Sequence, residues 1–475
     1  MRRSLALAAA AGYLGAIRLL NGARRAGEPP LVRGWLPFLG CALAFGRDAP
    51  AFLERCRARY GDVFTLVIGG QRMTFLLDAR DFGTLIREPK RLSFYEIKCE
   101  IGSAAFGYRR PDQSPVDDES LNAMYGEFLK PSRLSELSRA LLKQLRGDLD
   151  EGSSTRAGWR NVELYDFVTR LMFDAGGAAL YGDDFPCDEV RERFLAYDTR
   201  FPLLIAGVPV GLLAGVYGHW EWLVRYLSRT RETMSRLMWA RHEQLSRETD
   251  PREFGQFNLA LLWAAQANTV PAAFWSVAYL LQDPRAMAAV REELGATADD
   301  DSAGRSSARE WTREELDRMR RLDSCICEAL RLSSASMMMR RVTEAHALEL
   351  ASGQLIQLRA GDMVCLFPYL THRDPEIFEH PDEYRFERFF SERGVARFEK
   401  QGQRVPFAYM PYGAGASMCP GRFWAHREIK LLIATLLTSF EFELPERRLP
   451  PLDHSRAGLG ILPPRGDLRV RLRRR

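Results

Sequence analysis

A single cysteine in a glycine-rich loop is the first residue of the chain that could do chemistry. Cys419 lies among Gly413, Gly415 and Gly421, and a helical pattern begins directly after it. The N–H groups of such a loop and the positive end of the following helix dipole lower the pKa of a thiol. Such a thiolate serves as a metal ligand or as a nucleophile. Because no local signature supplies His and Asn or Asp partners, the loop favours metal ligation.

A second candidate is an apolar helical segment, residues 257–282, that contains polar residues and a proline. Pro271 has no N–H, so the carbonyl of Ala267 loses its helical partner, and we predict a kink there. The kink would open a polar notch beside Asn268 and Thr269. A helical threonine also commonly bonds back to the preceding turn, so the segment alone leaves both interpretations open.

An acid–base pair lies on another predicted helix, residues 313–332. Glu328 and Arg331 are three residues apart, so they share one face of that helix. Such pairs are common on solvated helices and indicate little alone. The helix has a clear start, because Thr312 and Glu315 match a capping box.

The elements that must position these residues are mostly helical. The chain also has two β-rich regions, and in the first Gly69 and Gly70 mark a hairpin turn. We therefore predict a mainly α fold with small β-sheets. The helical patterns cover residues 132–149, 162–181, 221–247, 257–282, 313–332 and 422–440, and the β-rich regions are 63–77 and 348–367.

Composition excludes several classes of protein. The chain has 475 residues, 46% of them hydrophobic and 27% charged, which is ample for a buried core. Its formal charge of +5 comes from nearly balanced basic and acidic residues, so we expect no nucleic-acid partner. The eight cysteines lack the paired spacing of a disulfide framework or a zinc site, which indicates a reducing compartment.

The N-terminus carries a short apolar run. Residues 5–20 are shorter than the roughly 20 residues needed to span a bilayer, and a charged stop follows them. We predict a membrane anchor with its stop over residues 1–26, rather than a signal peptide or an amphipathic helix, and a single domain over 27–475. A second apolar run, residues 201–217, is broken by prolines, so it is either core or a loop at the lipid surface.

Together these features resemble the cytochrome P-450 family of haem-thiolate monooxygenases. Gly415, Cys419 and Gly421 match the family's Phe-x-x-Gly-x-Arg-x-Cys-x-Gly signature, whereas Tyr412 replaces its Phe and Ser417 its propionate-binding Arg. The resemblance implies haem b with Cys419 as the iron ligand. It also implies O2 as a substrate and electrons from NADPH through NADPH cytochrome P-450 reductase. Docking of the reductase would use basic residues on the thiolate face: Arg404, Arg422, Arg427 and Lys430.

The resemblance also implies roles for the other candidates. Arg340 matches a propionate-binding arginine of the family. Thr269 matches its oxygen-activating threonine, and Asn268 replaces the neighbouring acid and would orient a water. The family's Trp-x-x-x-Arg is absent, and residues 122–131 occupy its region. Glu328, Arg331 and Arg388 correspond to a structural triad.

Longer segments resemble the sterol hydroxylases of this family. Residues 262–276, 330–336 and 451–464 are similar to 7α-hydroxylases that act on cholesterol, and residues 34–40, 69–78, 279–294 and 374–389 to those that act on oxysterols. This similarity implies 7α-hydroxylation of a sterol, with cholesterol first, as in bile acid synthesis at the endoplasmic reticulum membrane. It implies contact with membrane lipid at residues 201–213 and a sterol cavity lined by Ala264, Asn268, Ser334, Ala335, Leu459 and Gly460.

Three alternatives are open at this stage. The first is another reaction of the same group, oxysterol 7α- or sterol 12α-hydroxylation. The second is a haem isomerase of the prostacyclin-synthase type, which does not activate O2 and so would not need Thr269. The third is a haem or lipid carrier without catalysis, which only the kinked helix disfavours.

Overall fold

The computed structural model describes residues 23–109, 118–151, 158–296, 311–390 and 396–475, together with Gly15 and Val116. The predicted anchor, residues 1–26, lies almost wholly outside these ranges. Within them, no helix combines the length and the apolar character needed to cross a bilayer.

Helices make up most of the described chain, as the sequence patterns predict. In chain order they are α1 (Ala42–Arg47), α2 (Ala49–Tyr60), α3 (Phe82–Ile86), α4 (Tyr95–Ile101), α5 (Asp118–Phe128), α6 (Ser135–Glu151), α7 (Leu164–Tyr181), α8 (Cys187–Asp198), α9 (Phe201–Ile205), α10 (Val216–Leu227), α11 (Arg236–Glu248), α12 (Pro251–Gln266), α13 (Thr269–Gln282), α14 (Pro284–Ala296), α15 (Arg313–Arg318), α16 (Arg320–Ser333), α17 (Pro368–Thr371) and α18 (Arg422–Ser439).

The strands are short. They are β1 (Leu31–Val32), β2 (Val63–Ile68), β3 (Gln71–Leu76), β4 (Leu92–Ser93), β5 (Arg160–Glu163), β6 (Met338–Val342), β7 (His346–Glu349), β8 (Leu355–Leu358), β9 (Met363–Leu366), β10 (Glu399–Lys400), β11 (Gln403–Arg404), β12 (Phe440–Glu443) and β13 (Arg469–Arg474). The largest sheet has the order β1-β2-β3-β9-β6-β4, a second has β12-β13-β5, and two pairs complete the set, β7-β8 and β10-β11.

The predicted hairpin is confirmed. Strands β2 and β3 pair antiparallel, with Ile68 opposite Gln71 at the turn. Gly69 and Gly70 form that turn with φ of 57° and 77°, which glycine adopts without steric cost. The main sheet then extends through a parallel pair, β3 with β9, to the antiparallel strand β6 that carries Arg340.

The kink near Pro271 is confirmed as a full break. Helix α12 ends at Gln266, and α13 begins at Thr269. The helical bonding resumes with the N–H of Ala272, which donates to the carbonyl of Asn268 at 3.1 Å. The proline thus divides one apolar segment into two helices, because it cannot supply the bond that would join them.

Two of the predicted helices are each divided in the structure. Residues 221–247 form α10 and α11, and the second begins at Ser235, whose side chain caps the N–H of Met238. Residues 313–332 form α15 and α16, which meet at the fully buried Met319. Both halves of each pair pack into the core with a helical period, so periodicity alone does not show the breaks. The capping box of Thr312 is confirmed.

Helix α13 lies at the centre of the core. All of its residues from Thr269 to Ala278 are buried, which is typical of a helix surrounded by other elements. Helices α7, α16 and α18 pack around it. The fold thereby places the break between α12 and α13 next to the helix that follows Cys419. The apolar run 201–217 is divided between core and surface, with Phe201 buried and Leu212 75% exposed.

Candidate functional site

The cysteine loop is held by its own backbone. The N–H of Cys419 donates to the carbonyl of Tyr412 at 2.9 Å, and α18 begins three residues later. Gly415 has φ of 65°, and a Cβ there would lie 2.7 Å from the Cγ2 atom of Ile86. The loop therefore needs glycine at this position for both its conformation and its close approach to the neighbouring helix.

Cys419 is exposed in the loop, yet desolvation by the surrounding protein raises the pKa of its thiol. The backbone N–H groups of Gly421 and Arg422 lower that pKa, as the sequence predicts, but burial outweighs them. A bound metal ion would supply the missing stabilisation of the thiolate.

Arg340 lies against the cysteine loop. Its guanidinium donates to the hydroxyl of Ser417 and to the carbonyl of Met339, and it stacks over the ring of Phe94 at 5.1 Å. Across the described ranges, no carboxylate pairs with this buried arginine. Burial lowers its pKa, so the guanidinium is a desolvated cation without a counter-charge. It therefore fits an acidic group of a cofactor.

Glu328, Arg331 and Arg388 meet in a buried cluster. Arg331 donates to both carboxylate oxygens of Glu328 at 2.8 Å, and Arg388 donates to the same oxygens at 3.0 and 3.1 Å. Arg331 also donates to the carbonyl of His372, whose Nε2 accepts the N–H of Met410 at 3.2 Å. The cluster thus connects α16 with Met410, in the segment that leads into the cysteine loop.

His372 is neutral in this network. Burial and the neighbouring guanidinium of Arg331 lower the pKa of His372 to about 3. Its Nε2 can therefore accept the Met410 N–H at neutral pH without competition from a proton.

Thr269 faces a residue that the sequence analysis does not identify, Glu428 on α18. Burial raises the pKa of this glutamate well above its usual range, and a hydrogen bond from the Thr269 hydroxyl opposes the rise. A Cβ on Gly176 of α7 would lie only 3.4 Å from Oε2 of Glu428, so helix α7 also encloses the acid. Burial therefore favours the protonated form of Glu428, which interacts with Thr269. Its signal in the sequence is an acid among the apolar residues of a helix.

Asn268 lies in the break between α12 and α13. Its Oδ1 atom accepts the N–H of Ile461 at 2.8 Å, and a Cβ on Gly460 would lie 1.8 Å from the same oxygen. Only glycine fits at position 460, because its backbone touches the asparagine side chain. This contact leaves the amide NH2 group of Asn268 for the water that the sequence analysis assigns to it.

The residues predicted to line the cavity come together around Asn268. Ala335 exchanges backbone hydrogen bonds of 2.8 Å with Gly458 and Gly460, and Ser334 lies opposite Ile461. The side chains of Ser334 and Ala335 are fully buried in the protein, and Leu459 and Gly460 lie in the facing turn. Ala264 lies one turn before Asn268, and it is exposed although α12 is an interior helix. Of the predicted lining residues, Ala264 has the most accessible surface.

Two of the predicted docking residues are not available at the surface. Lys430 is buried, and its Nζ atom contacts the carbonyl of Leu316 and the carboxylate of Asp323. The side chain of Arg427 is 10% exposed. The prediction is therefore wrong for both, because they point from α18 into the protein. Arg404 is exposed and Arg422 is half-buried.

Helix α5 occupies the place of the missing Trp-x-x-x-Arg motif. Asn122, Gly126 and Lys130 line a groove together with Met418 and Arg422. The predicted region 122–131 thus lies against the cysteine loop.

A buried helix broken at its centre, a cysteine in a glycine-rich loop and an uncompensated arginine bonded to that loop are the features of a haem-thiolate site. The cytochrome P450 family profile matches residues 29–470, so the chain belongs to the cytochrome P450 family. The chain is 34% identical to mouse "Cytochrome P450 7B1" over 93% of this chain and 90% of the relative. It is 35% identical to "Cholesterol 7-alpha-monooxygenase" of Cricetulus griseus, over 94% and 93% of the two chains.

A third relative carries the name of a different reaction. The chain is 34% identical to "5-beta-cholestane-3-alpha,7-alpha-diol 12-alpha-hydroxylase" of Sus scrofa, over 99% of this chain and 97% of the relative. Enzymes of the cytochrome P450 family carry haem with a cysteine thiolate ligand, and they use O2 and NADPH-derived electrons delivered by a reductase. The residues described above fit that cofactor, since the same loop provides an exposed thiol and holds an uncompensated guanidinium.

Proposed function

We propose that the protein is a sterol 7α-hydroxylase that acts on cholesterol, with Cys419 as the ligand of the haem iron. The observation that carries the proposal is the contact between the hairpin of residues 451–464 and the broken central helix, made by Ile461 and Asn268. That hairpin is the segment with the most discriminating similarity to the cholesterol enzymes. The relatives named for sterol hydroxylation support the substrate class.

The residues of the loop and of β6 would hold the cofactor. Cys419 would coordinate the iron through its thiolate, and Gly415 and Gly421 would let the backbone approach closely. Arg340, with Ser417 beside it, would neutralise a propionate. When bound, the haem supplies the oxidising power that inserts one oxygen atom of O2 into a C–H bond.

The residues at the break between α12 and α13 would hold and deliver protons. Burial favours the protonated form of Glu428, which would donate to Oγ1 of Thr269 and leave the single hydroxyl hydrogen of Thr269 for a hydrogen bond toward O2. The amide NH2 group of Asn268 would orient a water in the notch. These groups are pre-positioned by the helix break, which frees backbone and side chains that a continuous helix would occupy.

The sterol would lie beside the notch, against Ala264 and Leu459, the predicted lining residues that keep accessible surface. Ser334, Ala335 and Gly460 are buried and would support that wall from behind. Burial of apolar surface contributes about 25 cal/mol per Å2, so a rigid sterol would gain most of its affinity there, and polar contacts would set its orientation.

The same proposal implies an electron donor and a cellular location for the enzyme. NADPH cytochrome P-450 reductase would supply the electrons at the thiolate face, where Arg404 and Arg422 are the accessible basic residues. The enzyme would work at the endoplasmic reticulum membrane, with residues 1–26 as its anchor and 27–475 as one catalytic domain. Exposed Leu203 and Leu212 would contact lipid near the entrance.

The experiment is product analysis with the holoenzyme, the reductase and NADPH. We expect 7α-hydroxycholesterol from cholesterol and no product without the reductase. A Cys419→Ala variant should make no product. Hydroxylation of cholesterol at another carbon, or none, would contradict the proposal.

The second candidate substrate is an oxysterol. Residues 279–294 and 374–389 resemble oxysterol 7α-hydroxylases, and they favour this alternative. A side-chain-hydroxylated cholesterol, compared with cholesterol at equal concentration, decides between them. A kcat/KM at least tenfold higher for the oxysterol would reassign the substrate and keep the 7α position.

A further inference from the structure

Three elements that are distant in sequence meet at one carboxylate, that of Asp198. Trp263 of α12 donates from its indole N–H to Oδ1 of Asp198 at 2.8 Å. Arg456 donates to both carboxylate oxygens at 2.9 Å, and its other terminal nitrogen donates to the backbone carbonyl of Asp198, also at 2.9 Å. The side chains of Asp198 and Arg456 are only 17% and 14% exposed. A charge-assisted pair with such shielding is stronger than an ordinary surface ion pair.

The first of the three elements, α12, would form one side of the proposed sterol cavity. Trp263 directly precedes Ala264, an exposed residue near the C-terminal end of α12. Its ring stacks on Phe201 with centroids 4.0 Å apart and an angle of 14° between the planes, and Phe106 meets its edge at 6.1 Å. The indole is thus fixed at its face by Phe201 and at its N–H by Asp198, so its orientation depends on both.

The second element, the hairpin that contains Arg456, would form another side of the proposed sterol cavity. Arg456 ends the short helical turn His454–Arg456 inside the hairpin of residues 451–464. Four residues later the same hairpin reaches Gly460, whose backbone touches Asn268. The position of Arg456 therefore sets where the tip of the hairpin lies over the notch.

We propose that Asp198 is a positioning residue that fixes two sides of the substrate cavity at once, through Trp263 and through Arg456. It thereby controls the rate at which ligands leave the cavity and which carbon of the sterol faces the notch. The inference rests on the proposed function for the identity of the substrate, and the geometry of the junction stands without it. The chain places the carboxylate at the last residue of α8, directly before the partly exposed run 201–217, so the junction also anchors the entrance.

The test uses holoenzyme variants Asp198→Asn, Arg456→Lys and Trp263→Phe. For Asp198→Asn we expect ligand dissociation to be about tenfold faster, the effect of losing one charge-assisted pair. Arg456→Lys keeps the charge but loses the second nitrogen, which bonds the backbone carbonyl of Asp198, and should fall between wild type and Asp198→Asn. Dissociation is followed by the Soret shift with cholesterol and, independently, with the azole clotrimazole. The fraction of 7α product should fall in the same order.

The controls separate positioning from folding and from the proposed reaction. Glu443→Gln breaks the exposed pair with Arg471 and should leave dissociation unchanged. Trp263→Phe keeps the stack on Phe201 and removes only the N–H donor, so it tests the junction if Asp198→Asn fails to fold. Dissociation of both probes within twofold of wild type in all three variants would overturn the inference. If wild type makes no 7α product, the proposed function fails, and clotrimazole dissociation still decides the inference.

Discussion

The protein buries two glutamates near the same site, and their surroundings are opposite. Glu328 is fully buried and accepts four hydrogen bonds from Arg331 and Arg388, so its charge is compensated. Glu428 is 3% exposed, and burial raises its pKa well above the usual range, with only the Thr269 hydroxyl opposing the rise. The first arrangement favours a fixed ionised acid that joins parts of the fold. The second favours a neutral acid that has a proton to give.

The largest expected effect comes from breaking the charged cluster. Glu328→Ala leaves two buried guanidinium groups without their carboxylate, and we expect a loss of about 3–5 kcal/mol in the free energy of unfolding. Urea denaturation followed by circular dichroism measures it. Glu443→Ala, which removes an exposed partner of Arg471, should cost less than about 1 kcal/mol. Equal losses in the two variants would refute the distinction between the cluster and a surface pair.

Replacement of Glu428 should affect catalysis rather than stability. Glu428→Gln preserves the shape of the protonated acid, the form that burial favours, so we expect little change in folding. It removes the proton donor, and hydroxylation should slow by about 10²-fold, the usual contribution of a general acid. The measurement is kcat for the hydroxysterol, with the denaturation midpoint as control. Unchanged turnover would remove Glu428 from proton delivery.

Thr269→Ala should have a smaller effect on the coupling of the reaction. Without the hydroxyl, the hydrogen bond toward O2 is lost, and we expect the ratio of hydroxysterol formed to NADPH consumed to fall about tenfold, as for loss of one strong hydrogen bond. Thr269→Ser retains the hydroxyl and should keep most of the coupling. Full coupling in the alanine variant would reject the role of Thr269.

The smallest effect is a dependence of stability on pH. The folded pKa of Glu428 is raised from a reference of 4.5, so the folded state holds its proton more tightly than the unfolded state does. Above about pH 4.5 the unfolded state loses that proton first, and stability falls as pH rises, by at most about 1.4 kcal/mol per pH unit. Glu428→Gln should lack this contribution. The difference between the denaturation midpoints of Glu428→Gln and wild type should therefore increase in favour of the variant between pH 5 and 7. Midpoints that change equally with pH in both proteins would contradict the raised pKa of Glu428.

The sequence predicts the features whose cause is local. The break near Pro271 follows from a missing N–H, the hairpin at Gly69 from glycine turn chemistry, and the start of α15 from the capping box of Thr312. The division at Met319 is not visible, because buried residues on both sides keep a helical period.

Features that depend on packing between distant elements cannot be predicted from the sequence. Glu428 is one polar position in an apolar helix, and only its burial against α7 and Thr269 distinguishes it from a solvated acid. Lys430 and Arg427 appear basic and accessible in the sequence, yet α18 turns both inward. The junction of Asp198 with Arg456 spans 258 residues of sequence, which no local pattern reports.

The most direct test of the account concerns the sulfur of Cys419. Reduced protein under carbon monoxide should show the red-shifted Soret band of a thiolate-ligated haem, and Cys419→Ala should lose that band. Cys327→Ala, which removes a partly buried cysteine elsewhere, should keep it. A Cys419→Ala protein that retains the band would contradict the assignment of the ligand, and with it the proposed oxidation.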